Sequence, residues 1–379
     1  IVGADCKIGA GAVVTRNIDS HTTVAGVPAR SITKNSNNAF KLKSKIRNLL
    51  YHIRIADFRK LREYNHYVFG KRKLMFLELL SHSWMYGASF ENYYELQFFK
   101  KSRTECRQYL TSSLRHELTR QVNDPCEALV LKDKVRFSEV FEDILGRRVM
   151  TFDEIKRQMH DPYSISINEV VIKPIKGQAG QGIIFPMQNF TSLRQLHDYV
   201  ISTVKKPDEY LYEERIIQHS ALNKLNPSSL NTLRIVTYYD ESINKVDVWS
   251  VVLRIGIKAC TDNFATGGIA ALVDHRGVVC QPAIIKHPSG ERFHIHPVSG
   301  EKITGCIIPY YDQAIALAKQ AAMRIPKVRS IGWDVAITET GPYMLEGNDN
   351  WCMTLFQLPG GEGLRHLANS VCNMFSVYE

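Results

Sequence analysis

The chain has no apolar run near the roughly 18 residues that span a bilayer, and no charged-then-apolar leader opens it. A membrane-spanning protein and a classical secretory precursor are therefore not expected. Its eight cysteines are scattered, with no CxxC pair. That spacing excludes a disulfide framework or zinc-finger pattern and favours a reducing compartment, so the expected location is cytoplasmic, free or membrane-peripheral. Proline is missing from residues 39–122, and acids are scarce between Lys34 and Met75. With hydrophobic residues at 44% and charged residues at 23%, neither wholesale disorder nor a fibrous repeat is expected. A length of 379 residues gives room for two or three domains. The chain opens at Ile1 rather than Met, inside a repeat, and is expected to be a piece of a longer protein.

The formal charge of +10 is concentrated. Twelve Lys and Arg lie between Lys34 and Met75 against Asp57 and Glu63, which accounts for the whole net charge. A solvated helical face is the plainest reading of such a cluster. Its chemistry also suits anions, with peripheral contact to acidic lipid or a lipid-linked sugar through 34–75 as one form. Nucleic acid is not expected, because no binding motif accompanies the charge.

Residues 1–32 repeat an aliphatic residue every six positions at Val2, Ile8 and Val14, with Gly3 and Gly9 following the first two. That period marks a parallel β-helix, whose aliphatic corners stack from coil to coil. The segment resembles the final coils of hexapeptide-repeat acyltransferases, which often close with a phrase like VAGVPAR, here at 24–30. It is expected to hold three coils, too few to stand alone, in a parent that trimerises through them. His21 is its one histidine and lies in the closing coil, away from where a catalytic base is expected.

The polar run 33–38 reads as a linker. Residues 39–125 read as a basic, aromatic-rich helical region, with apolar residues at helix period such as Ile46, Leu49, Leu50 and Ile53. The aromatics from Trp84 to Phe99 are expected to pack a core. From about 126 strands and helices alternate, which predicts an α+β class with mainly antiparallel sheets, in subdomains 126–213 and 214–379. Helices are predicted at 134–145, 192–203, 311–325 and from 362. Strands are predicted at 169–174, 182–185, 209–217, 232–239, 246–257, 330–338 and 342–347.

Within VVIKPIKGQAGQG, Lys173 ends an apolar strand and Gly177, Gly180 and Gly182 follow. Glycines let backbone N–H groups wrap an anion, and the lysine adds a point charge. A strand rather than a helix follows, so this is not a dinucleotide-binding fingerprint. Downstream, YEERII places acids at a strand end. Glu346 and Asn348 share one strand face by the two-residue period, and a hairpin brings Asp334 beside them. Two carboxylates and an amide oxygen are hard ligands suited to Mg²⁺, although two unrelated strand-end acids would look the same. His287, His294 and His296 suit turns or a substrate-facing wall better than a metal site, for want of further ligands. Asn263, Gly267 and Gly268 suggest a close backbone approach to a ligand, or a plain bulge.

The ordered set DK…VVIKPxxGxxGxG…YEERI…NTLR…GWD…LEGN resembles the ATP-grasp superfamily, and within it the sugar-transfer-associated ATP-grasp family, over about residues 50–379. The resemblance implies two α+β subdomains clasping ATP, after a helical region and the β-helix fragment. It implies that Lys134 and Lys173 bind phosphates and that Gly177 to Gly182 form a mobile lid. Glu214, Arg215 and Ile217 would contact adenine. Asp334, Glu346 and Asn348 would hold two Mg²⁺, and Arg234 would face the γ-phosphate or an acyl phosphate. The implied activity is an ATP-dependent ligase joining a carboxylate to an amine or hydroxyl, with a sugar as one acceptor, in bacterial surface polysaccharide synthesis. A sugar kinase, or a non-catalytic ATP-binding module serving an acyltransferase, are the alternatives.

Overall fold

Six-residue steps at the N-terminus do not each make a coil. In the computed structural model, which describes residues 1–4, 6–18, 23–31, 33–70, 75–160, 169–176, 182–186, 188–257, 261–371 and 378, the pairing runs between residues sixteen apart. Strand β1 (Lys7–Ile8) is parallel to β2 (Thr23–Ala25), and Val2 bridges Ile18 in the same sense. About three six-residue steps therefore make one rung, and the segment holds fewer than the three coils expected. Gly3 N and Gly9 N donate to Ile18 O and Val24 O, each at 2.8 Å. A Cβ on Gly9 would lie 2.9 Å from Ala25 Cβ, so the rung needs glycine there. Ile18 and Val24 are buried, whereas Val2 and Ile8 are each 46% exposed. Strand β3 (Arg30–Ser31) turns back antiparallel on β2.

Residues 33–38 are not a linker but the opening of helix α1 (Thr33–Ile55). Polar Asn and Ser are weak helix formers, yet extending a helix already nucleated adds one hydrogen bond per residue. Helix α2 (Phe58–Phe69) is capped by Asp57, whose side chain accepts from Arg59 N and Lys60 N, and ends at left-handed Gly70. Helix α3 (Phe76–Tyr86) ends likewise at Gly87.

The chain divides into two compact units. One comprises Ile1–Tyr93 with Thr111–Leu114 and Asn369–Glu379. The other comprises Tyr94–Leu110 and Arg115–Ala368. The helical region read over 39–125 is thus shared between them. Tyr86, Phe90 and Tyr93 are buried in the first; Tyr94 and Phe98 are buried in the second.

The second unit carries two antiparallel sheets. The smaller orders β4 (Val149–Thr151), β6 (Tyr210–Glu214) and β5 (Val170–Pro174) as β4-β6-β5. The larger runs β11-β10-β9-β8-β7-β12-β13. Its strands are β7 (Thr232–Asp240), β8 (Lys245–Ile255), β9 (Ile269–Leu272), β10 (Ala283–Ile285), β11 (Arg292–Phe293), β12 (Ser330–Thr338) and β13 (Gly341–Asn348). Helix Tyr311–Arg324 lays Ala314, Ala318, Ala321 and Ala322 on one face of the larger sheet, and these small residues let it approach Leu233, Leu253 and Val335 closely.

Several boundaries moved. The strand expected over 209–217 ends at Glu214, and 182–185 contributes only the bridge Ile172–Ile184. The helix expected over 134–145 breaks after Val140 into a short 3₁₀ turn, Glu142–Ile144. The last helix, expected from 362, is Arg365–Val371, and a further helix not expected, Met353–Gly360, precedes it and ends at left-handed Gly361. Among the described residues no helix is long and apolar enough to cross a membrane.

Candidate functional site

The face of the larger sheet opposite helix Tyr311–Arg324 carries a row of charges. Register sets Glu346 opposite Asp334, Asp334 opposite Arg234, and Arg234 opposite Val252. Alternation does the rest. Trp333 points into the core against Phe141 while Asp334 points to the charged face. Gly332 must be glycine because a Cβ there would lie 2.8 Å from Trp351 Cβ and 3.4 Å from Arg234 Cδ. Gly347, between Glu346 and Asn348, sits over Trp333 and leaves no room for a side chain.

Asp334 is buried and both its oxygens are engaged. Arg234 Nε donates to Oδ1, Arg234 Nη2 to Oδ2 at 2.8 Å, and Arg254 Nη2 to Oδ2 at 3.0 Å. Burial alone would raise its carboxyl, but the Arg234 and Arg254 guanidinium groups hold it below the usual carboxylate range. Arg254 is shared with Asp262, its Nε 3.3 Å from Asp262 Oδ2, and with Thr232 Oγ1 at 2.7 Å from Nη2. Glu346 retains access to solvent at the rim of this enclosed cluster. Its carboxyl is pushed up, first by desolvation and then by the Asp334 charge. Asn348 Nδ2 donates to Glu346 Oε1 at 3.2 Å.

The smaller sheet supplies Lys173, and the helix Lys134–Val140 supplies Lys134. Lys173 Nζ lies 2.7 Å from Glu213 Oε2, and Arg147 Nε donates to that oxygen at 2.9 Å. Desolvation would raise Glu213, yet the Arg147 and Lys173 charges bring it down to about 2. Lys134, whose helix is capped by Asp133, donates from Nζ to Pro174 O at 2.9 Å. Desolvation lowers its ammonium; Glu346 opposes that shift and Lys173 adds to it. Lys134, Lys173 and Glu346, from three separate elements, therefore share one electrostatic neighbourhood. Arg147 Nη1 also donates to Met344 O at 2.6 Å, tying the segment that leads into β4 to β13.

Other expected residues lie farther along. Glu214 faces the opposite side of β6 from Glu213 and accepts from Arg148 N at 2.9 Å. Arg215, beyond the strand, pairs with Glu169 at 2.8 Å, and Ile217 is 71% exposed. Gly182 has φ 73°, with Pro174 Cγ 3.0 Å from where a Cβ would stand. Gly177 and Gly180 lie outside the described residues, as does His21. Asn263 caps the turn Phe264–Thr266, and Gly268 packs against the backbone of Asp262. His296 is buried on Gly256 O and the backbone of its own turn, as a turn-packing histidine. Sequence reading missed Arg254, Asp262, Glu213 and Arg147.

The residues fit a divalent cation at the rim. Glu346 is open to solvent beside a second carboxylate, an arrangement that an added cation relieves, and the Asn348 amide oxygen lies on the same strand face. Asp334 is less available, since both its oxygens already accept from guanidinium groups. Among the described residues no group of three or more His, Cys, Asp or Glu is placed to hold a metal ion, here or elsewhere.

A family model described as sugar-transfer associated ATP-grasp matches residues 113–373. Solved structures similar to the chain include N5-carboxyaminoimidazole ribonucleotide synthetase from Thermotoga maritima, at 12% identity and TM-score 0.32, covering 62% of this chain and 48% of that one. D-alanyl-alanine synthetase A from Vibrio cholerae is 13% identical with TM-score 0.36, covering 64% and 62% respectively. Biotin carboxylase from Campylobacter jejuni, in complex with β-γ-ATP, is 11% identical with TM-score 0.36, covering 66% and 45%. The chain thus spans about half the length of the first of these. No curated protein sequence matches it.

Proposed function

This chain belongs to the sugar-transfer associated ATP-grasp family, whose enzymes use ATP and Mg²⁺, and from that premise we propose that it is a carboxylate–amine ligase. One observation carries the proposal: Lys134 and Lys173 share a charged neighbourhood with Glu346, beside the Arg234–Asp334–Arg254 clamp. Two lysines suit the triphosphate, and Glu346 with Asn348 would hold Mg²⁺. That ion, when bound, supplies charge neutralisation at the transferring phosphoryl group.

Asp334 fixes Arg234 through Nε and Nη2, which leaves Nη1 to donate to the phosphoryl oxygens. A carboxylate oxygen of the substrate attacks the γ-phosphorus, ADP departs, and an acyl phosphate remains. The amine nitrogen then bonds to the acyl carbon, the C–O bond to phosphate breaks, and phosphate leaves with the amine's proton. Arginines held rigidly by Asp334 and Asp262 are oriented before either step, which is how fixed dipoles lower a barrier. Glu214, Arg215 and the exposed apolar Ile217 would receive the adenine, and the segment around Gly177, Gly180 and Gly182 would close over the phosphates.

The substrate class we favour is a sugar acid joined to an amine or hydroxyl during synthesis of a bacterial surface glycan, in the cytoplasm. Residues 1–31 we read as the end of a hexapeptide β-helix, supported by the six-residue period and the parallel pairing of β1 and β2. The test is an ADP- and phosphate-release screen across sugar acids and amines. A ligase releases both products, and only when carboxylate and amine are both present. ADP without phosphate would indicate a sugar kinase, and ATP binding without turnover would indicate a non-catalytic module.

A further inference from the structure

The first unit carries a surface that the ATP chemistry does not use. Helix α1 contains six Lys or Arg and no acid. Successive residues of a helix are about 100° apart, so Leu42, Ile46 and Leu50 form one row. They are 49%, 44% and 61% exposed, with half-buried Leu49 and Ile53 beside them. Lys43, Arg47 and Arg54 stand exposed along one flank of the row, whereas Lys45, on the other side, packs over the Trp84 and Tyr378 rings. Ser44 and His52 mark the buried face, on the side of Lys45 and opposite the exposed basic flank.

A core-facing stripe would be covered, and an ordinary solvated face would not align exposed aliphatic residues beside a basic flank. We infer that α1 docks this protein on anionic lipid bilayers, with Leu42, Ile46 and Leu50 entering the headgroup boundary and the flanking Lys and Arg pairing with acidic headgroups. Charge complementarity selects this occupant. A second copy would set the exposed cations Lys43, Arg47 and Arg54 of one α1 against those of another, whereas an acidic membrane surface attracts them.

Vesicle sedimentation of the full chain tests the inference, using phosphatidylcholine vesicles with and without phosphatidylserine at physiological salt. The wild type should partition onto the phosphatidylserine vesicles about tenfold or more better than onto neutral ones. The Leu42→Gln, Ile46→Gln, Leu50→Gln triple variant keeps every charge and uses a good helix former, and should lose roughly tenfold or more of that binding. Its helicity and ATP-analogue affinity should be unchanged, which separates lost docking from lost folding. Failure of the wild type to bind phosphatidylserine vesicles would overturn the inference, as would wild-type binding by the triple variant. So would a concentration-dependent dimer that the triple variant abolishes, without vesicle binding.

Discussion

Arg254, on β8, reaches over the neighbouring strand β7 to donate from Nη2 to Asp334 Oδ2 on β12, at 3.0 Å. The same guanidinium faces Asp262 at 3.3 Å, so one cation serves two buried carboxylates. Arg234 supplies the second cation to Asp334. The network is charge-balanced, and losing either arginine leaves a buried acid short of a partner.

Arg254→Leu should therefore destabilise the protein by about 3–5 kcal/mol, the usual cost of breaking a buried pair from one side. Adding Asp262→Asn should recover part of that loss, because it removes one of the stranded charges. Urea unfolding of the three proteins checks this. A cost below about 1 kcal/mol for the single variant would mean that Arg254 is solvated rather than structural.

Lys173→Ala should weaken binding of a non-hydrolysable ATP analogue by at least roughly tenfold, the value of one charge-assisted contact of about 1.5–3 kcal/mol. Glu213 would keep Arg147 as a partner at 2.9 Å, so the fold should survive. Lys205→Ala, at an exposed position, is the control. Calorimetric titration giving equal affinities for wild type and Lys173→Ala would remove Lys173 from the phosphate site.

Glu346→Gln should preserve stability, because Glu346 is open to solvent, and should keep nucleotide affinity within a modest factor. Turnover should fall sharply, with a higher Mg²⁺ requirement for what remains. ADP should be the nucleotide product. Normal ADP release at saturating Mg²⁺ would show that the metal is held elsewhere, and AMP would point to adenylating chemistry.

The alternation of GWD and LEGN made the meeting of Asp334, Glu346 and Asn348 legible in advance, because a two-residue period and a hairpin fix it locally. Arg254 was not legible, although it interrupts the apolar run VVLRI as Arg234 interrupts its own strand. Its meaning depends on Asp262 and Asp334, distant in sequence and joined only by strand order. Glu213 and Glu214 are adjacent, and only the register of β5 against β6 shows that Glu213 shares a face with Lys173. The six-residue period was visible, but the length of a rung was not, because it depends on where the chain turns.

His52 gives the first unit a pH-dependent stability. It is buried, with Nδ1 2.7 Å from Ser83 Oγ and Nε2 3.2 Å from Ser113 Oγ, and desolvation lowers its pKa from 6.5 to about 4. The unfolded chain takes up this proton below about pH 6.5, whereas the folded one resists until about pH 4. Stability from this group is full above pH 6.5 and falls as the pH drops towards 4. The change is on the order of 2–3 kcal/mol. His52→Gln should flatten that slope between pH 7 and pH 4.5, read by urea unfolding. An unchanged slope would assign the acid sensitivity to other groups.

Removing residues 1–31 should leave ATP-analogue affinity within about twofold and the unfolding midpoint nearly unchanged. Among the described residues the strands in this segment pair with one another, β1 with β2 and β2 with β3. Ile18 and Val24 are its buried aliphatic residues, a small apolar contribution beside the core under the larger sheet. The cut belongs at residue 31, because α1 begins at Thr33 and a later cut would shorten it. Calorimetric titration and thermal unfolding of the truncated chain decide the matter. Loss of ATP binding would mean that the N-terminal rung supports the nucleotide site, and the reading of two separate modules would fail.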